Sequence, residues 1–174
     1  MTSRIQQEIK QSRPFKSRSQ EAAIALMRTA DLVRRRVGGI VEPFDLTPQQ
    51  YNVLRILRGA GEKGLPTLEI AGRMIEETPG ITRLIDRLET KHLVSRERCK
   101  TDRRRVWCRI TRDGLGLLDR LDKPIRDADD WALASLTARE LAQLIGLLDK
   151  ARNGLSAAVT LRRTMNHNDS RRIE

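Results

Sequence analysis

The chain has 174 residues, 39% apolar and 33% charged, and carries a formal net charge of +11. That composition suits a globular protein rather than a disordered one, and its longest purely apolar run, residues 22–27, excludes a membrane span. With two cysteines and no apolar stretch in the N-terminal segment that would serve as an export signal, a reducing cytoplasm is expected and a disulfide framework is not.

Residues 1–19, basic and interrupted by Pro14, read as a flexible arm. A first long helix is expected from about Ser19 to Val37, with apolar positions at Ile24, Met27, Leu32 and Val33 and with Gly38 and Gly39 ending it. "LTPQQYNVLRIL" is a strong helix start: Thr47 caps, Pro48 takes the first helical position, Gln50 completes a capping box, and Tyr51, Leu54 and Leu57 share a face. "TLEIAGRMI" opens on Thr67 as a cap. "TPGITRLIDRLETKHLV" then places Thr78 as cap and Pro79 at the first helical position. Ile81, Leu84, Ile85 and Leu88 follow on an apolar face, opposite Thr82, Arg83, Asp86 and Arg87. The two short helices, joined by the "EET" link, describe a helix-turn-helix.

"LVSRERC" and "RVWCRIT" alternate apolar and polar residues around "KTDR", which predicts a two-stranded hairpin with Val94, Val106 and Cys108 on buried faces. A hairpin loop at 103–104 or at 102–105 sets Cys99 opposite Cys108, and a shifted register separates them. Thr111 caps a further helix bearing Leu115, Leu118, Leu121 and Ile125, which Pro124 is expected to kink. A last helix opens with the capping box of Thr137 and Glu140. Its seam of Leu141, Leu144, Ile145, Leu148, Leu155 and Val159 needs a partner, either within the chain or in another subunit. His92 and His167 are too few for a metal site, and no nucleophile, carboxylate pair or phosphate loop suggests an enzyme or a cofactor.

The positive charge is not spread evenly. Residues 91–112 hold nine Lys and Arg against only Glu97 and Asp102, while the remainder of the excess lies in the two tails. A localised patch of this kind is the footprint of a polyanion partner. Membrane attachment would want an amphipathic helix, whereas this segment reads as strands. At 3% aromatic the chain also lacks the stacking platforms of single-strand binders. Double-stranded DNA is the partner expected.

The order of helix, helix-turn-helix, basic hairpin and two apolar-seamed helices resembles the MarR family of winged-helix transcription factors over about residues 20–160. "LTPQQYNVLRIL", "TRLIDRLETKHLV" and "DRRRVWCRITRDG" carry the resemblance. It implies a mainly α fold with a small β-hairpin wing: a winged helix-turn-helix domain at 45–112, dimerisation helices at 20–40 and 113–160, and a polar tail at 161–174. It also implies a cytoplasmic homodimer that binds a pseudo-palindromic operator, acts as a repressor and responds to a small aromatic or anionic effector. The recognition helix would be 79–91, with Thr78, Pro79, Gly80, Thr82, Arg83 and Arg87 near bases or phosphates. Asp102, Arg103, Arg104 and Arg105 would form the wing tip, with Arg104, or next Arg103, entering the minor groove and Asp102 orienting it. Arg34 and Arg36 are candidate effector contacts, although cations ending a helix also complement its dipole. His92 stands where the family turns with glycine, and Gly80 leaves one base-facing position without a side chain. The competing reading is a winged-helix scaffold for protein partners that binds no specific operator.

Overall fold

The computed structural model describes residues 3–98 and 106–170. Its helices are α1 Arg4–Glu8, α2 Arg18–Val41, α3 Pro48–Ala60, α4 Thr67–Arg73, α5 Ile81–Thr90, α6 Arg112–Ala132 and α7 Ala138–Ser170. Its strands are β1 Leu65–Pro66, β2 Val94–Arg98 and β3 Val106–Ile110, forming one antiparallel sheet in the order β1-β3-β2. The chain divides into two units, Met1–Asp129 and Asp130–Glu174. The fold is mainly helical with a small sheet, a winged helix-turn-helix.

Local cap chemistry places α3 where the sequence puts it. The Gln50 amide donates to Thr47 Oγ1 at 3.2 Å, and the Thr47 amide donates to Gln50 Oε1 at 3.0 Å. The helix then buries Tyr51, Leu54 and Leu57 and stops before Gly61. These side chains join Ile70 of α4, Ile85 and Leu88 of α5, Val94, Cys108, and Leu118 and Leu121 of α6 in one core. Each large side chain fully buried there contributes about 1.5–3 kcal/mol.

Several elements differ from expectation because packing overrides local signals. Helix α2 does not end at Gly38 and Gly39 but runs on to Val41, which is fully buried, with Val37 and Ile40 packed beside it. Two glycines cost a helix about 1 kcal/mol each, less than the burial that continuing it achieves. Thr67 is not a cap; Pro66 precedes α4, and the Thr67 hydroxyl lies 3.7 Å from Cys108 Sγ. The helix expected over 79–91 is shorter, running Ile81–Thr90 as α5. Gly80, at φ 86°, is its N-cap, while the Thr78 hydroxyl donates to the Glu76 carbonyl at 3.0 Å. The link between α4 and α5 therefore spans residues 74–80 rather than "EET" alone. Within residues 1–19, Arg4–Glu8 form α1, which packs on α2 with Gln6 buried and donating to the Gln11 carbonyl at 3.2 Å. The last helix opens on the expected Thr137–Glu140 box and continues through residues 161–170, where a tail is expected.

The sheet pairs Val94 with Ile110, Arg96 with Cys108 and Arg98 with Val106. This register gives Cys108 to Arg96, so the registers that would set Cys99 opposite Cys108 do not occur; Cys99 itself lies outside the described residues. Cys108 and Val94 are buried and Val106 is half-buried. Burial pushes the Cys108 thiol above its usual range, which makes it an inert packing group. The third strand, β1, pairs Leu65 with Cys108 and Pro66 with Trp107. Thr111 joins sheet to helix: its hydroxyl donates to the His92 carbonyl at 2.7 Å and accepts from the Gly114 amide at 3.1 Å. A Cβ at Gly114 would stand 2.4 Å from the Leu93 carbonyl oxygen, so glycine alone lets α6 approach this closely. Helix α6 runs through Pro124 without interruption.

Candidate nucleic-acid interface

Helix α5 sorts its residues onto three faces. Ile85 and Leu88 are buried and Ile81 and Leu84 half-buried, which anchors the helix on the core. Thr82, Arg83 and Arg87 are exposed, as are Pro79 and Gly80 just ahead of the helix; Thr78 is half-buried. Arg83 and Arg87, one turn apart, could have been spent on Asp86 and Glu89. They are not, because both acids are taken by Arg96 of β2. Arg96 Nη1 lies 2.6 Å from Asp86 Oδ1, its Nε lies 2.8 Å from Glu89 Oε2, and its Nη2 bonds the same Glu89 oxygen. Bonding to Glu89 first, and then to Asp86, raises the Arg96 guanidinium further above its usual range, so it stays charged at any working pH. Among the described residues no acid pairs with Arg83 or Arg87.

On β3, one residue beyond the partner of Arg96, Arg109 donates to Glu97 Oε2 at 2.8 Å and to the Glu62 carbonyl at 3.0 Å. Part of the central basic excess is therefore structural. The wing residues Asp102, Arg103, Arg104 and Arg105 lie outside the described residues. Arg34, on α2, reaches Asp31 at 2.6 Å and Glu76 at 3.2 Å. The paired guanidinium lowers the Asp31 carboxyl, and Asp31, followed by Glu76, raises Arg34. This pairing ties α2 to the link that precedes α5. Arg36 is exposed on the same helix.

Arg96 was not among the residues singled out in the sequence. Its signal was two acids three apart on a predicted helix, followed by an arginine early in the next strand. Only the fold brings those three together. Among the described residues there is no cluster of metal-ligating side chains, and no helix is long and apolar enough to cross a membrane.

The MarR family model matches residues 46–106, the span from the cap of α3 to the start of β3. A MarR transcription factor of known structure from Planctomyces limnophilus is 43% identical, with the alignment covering 78% of this chain and 98% of that one at a TM-score of 0.61. The chain belongs to the MarR family. It is also 29% identical over 127 residues to the homoprotocatechuate degradative operon repressor of Escherichia coli, covering 73% of this chain and 84% of the repressor. A MarR mutant from E. coli, solved in complex with operator DNA, is 25% identical at a TM-score of 0.66 over 73% of this chain and 90% of its own. Members of the MarR family are transcription regulators, not enzymes. This member is a DNA-binding regulator whose family signature covers the helix-turn-helix and the first strands of its wing.

Proposed function

We propose that this MarR-family protein is a cytoplasmic homodimeric repressor that reads a pseudo-palindromic operator in double-stranded DNA. The observation that carries the reading is the outer face of α5, where Arg83 and Arg87 stand exposed while the neighbouring acids are held elsewhere. In the major groove an arginine can fork onto guanine O6 and N7, so Arg83 is assigned base reading, with Arg87 and Thr82 on bases or phosphates. Thr78, Pro79 and Gly80 approach the backbone where the helix begins. Arg104 at the wing tip enters the flanking minor groove, where the negative potential favours guanidinium, with Arg103 and Arg105 on phosphates and Asp102 orienting the tip.

A small aromatic or anionic effector sets the affinity. The E. coli relative is named for repressing a degradative operon of an aromatic acid, which makes that ligand class the first to screen. Arg34 gives such a ligand a route to the DNA-binding surface. An anion competing for its guanidinium displaces Glu76, and Glu76 belongs to the link that leads into α5. Arg36 is a second contact for the same anion. A ligand that prefers the released arrangement shifts the population toward it.

The test is fluorescence anisotropy on the DNA upstream of the protein's own gene, with a scrambled duplex of equal length as control. The expected result is a preference of about a thousandfold or more with a steep salt dependence. Arg83→Ala should cost about 1–3 kcal/mol on the operator and relax the preference at one base position. Equal binding to the two duplexes overturns the proposal and leaves the protein-scaffold reading.

A further inference from the structure

We infer that Arg96 is a positioning residue for DNA recognition: it clamps the wing strand β2 to the recognition helix α5 through Asp86 and Glu89, and so sets the angle between the two DNA-reading elements. The inference rests on the proposal that α5 and the wing engage one duplex together.

The geometry is that of a clamp rather than a passing surface pair. Asp86 and Glu89 stand three apart on α5, so they lie on one face of the helix. A single guanidinium takes both, Nη1 on Asp86 and Nε with Nη2 on Glu89. One contact would leave the helix free to pivot about it, whereas two contacts along the helix axis also fix the direction of the helix. The arginine is itself held. It sits at the middle of the five paired positions of β2, opposite fully buried Cys108, and its side chain is only 28% exposed. Between α5 and β2 run only residues 91–93, and the Leu93 amide bonds back to the Leu88 carbonyl at 3.0 Å. That turn fixes one end of the angle, and the clamp fixes the other, two residues further along the strand.

Charge alone makes the opposite prediction, which is what makes the inference testable. Asp86 and Glu89 belong to the helix that enters the groove, and carboxylates beside phosphates oppose binding. If electrostatics were all that mattered, Asp86→Asn with Glu89→Gln would tighten DNA binding, since two negative charges disappear. If the clamp sets the angle, the same pair weakens binding although the net charge becomes more favourable. Arg96→Lys keeps the charge but replaces a planar fork with a single ammonium, and it should weaken binding in the same direction.

The experiment measures anisotropy on two duplexes: the full upstream operator, and one trimmed so that the minor-groove flanks read by the wing are missing. Wild type should lose affinity on trimming. D86N/E89Q and R96K should each bind the full operator roughly tenfold more weakly than wild type. On the trimmed duplex they should differ little from wild type, because the wing's contribution is already gone. A role in stability alone would lower affinity for both duplexes equally, or would show only as a lower melting temperature by circular dichroism. If D86N/E89Q fails to fold, R96K on the two duplexes decides. Wild type binding specifically while D86N/E89Q binds as well or better overturns the inference. So does a loss on Arg96→Gln accompanied by a salt slope lower by about one, with D86N/E89Q unaffected, since that marks Arg96 as a direct phosphate contact. Wild type with no preference for the operator overturns the proposed function instead.

Discussion

At the scale of single residues, the turn after α5 carries a removable cost. His92 has φ 58°, in the left-handed region, and closes a paired C-terminal motif. Its own amide bonds the Glu89 carbonyl at 2.8 Å, and the Leu93 amide bonds the Leu88 carbonyl at 3.0 Å, with Leu88 and Leu93 both buried. Glycine is the usual occupant because a side chain costs roughly 1–2 kcal/mol in that conformation. Part of the gain from glycine is offset by the extra freedom it gives the unfolded chain. His92→Gly should therefore stabilise the protein by about 0.5–1 kcal/mol and raise the thermal midpoint by a few degrees. The imidazole is exposed and the turn geometry is kept, so operator affinity should not change. Thermal unfolding by circular dichroism decides it: a lowered midpoint would show that the imidazole makes a contact worth more than the backbone strain.

Among elements, α3 and α6 are joined by one forked pair. Arg58 Nη1 and Nη2 each lie 2.9 Å from an oxygen of Asp122. The Arg58 guanidinium holds the Asp122 carboxyl below the usual carboxylate range, and Asp122 raises Arg58 in return. An acid whose folded pKa is depressed contributes stability above its unfolded pKa and loses that contribution as pH falls through the folded one. The window is thus the acid side, from about pH 4 downward. Arg58, with its pKa raised, stays charged throughout. The side chains are 33% and 37% exposed, so solvent screens the pair and Asp122→Asn should cost only about 1 kcal/mol at pH 7. Urea unfolding of both proteins at pH 7 and near pH 3 should show that gap closing at low pH. A gap that persists would mean that Asp122 acts through packing rather than charge. The same contrast explains what the sequence reveals. Thr47, Pro48 and Gln50 settle the start of α3 within four residues, and Thr137 and Glu140 do the same for α7, because cap chemistry is local. The two residues of β1 are too few for a periodic signal and exist only because β3 lies alongside them. The start of α5 is set by the left-handed Gly80 rather than by Thr78, and the end of α2 by the burial of Val41. The exposed arginines of α5 could be read from helical spacing. The clamp at Arg96 could not, since it joins residues of two elements whose relative placement only the fold supplies.

For the whole molecule, the distribution of apolar surface bears on assembly. Helix α2 buries Val41 at its end but leaves Leu26 45%, Met27 64%, Leu32 51% and Val33 39% exposed. Leu26 and Val33 are seven apart and so share one stripe of the helix. An apolar stripe left uncovered invites association, and a second copy of the chain is the covering that the proposed homodimer supplies. Leu26→Glu together with Val33→Glu should leave the fold intact, because both positions are already solvent-accessible and glutamate is a good helix former. The pair should nevertheless convert a dimer into a monomer in sedimentation experiments at micromolar concentration. Loss of the dimer carries over to DNA. Two recognition helices joined in a dimer reach half-sites about one helical turn apart, and the second half-site is then engaged at a high effective concentration. A monomer has only one arm, so the variant should bind the full operator no better than it binds a single half-site, with a correspondingly shallower salt dependence. If the variant still sediments as a dimer, the subunit contact lies elsewhere and the exposed stripe of α2 has another use. If it is monomeric yet still prefers the full operator over one half-site, the symmetric mode of reading is wrong, because nothing would link the two halves of the site.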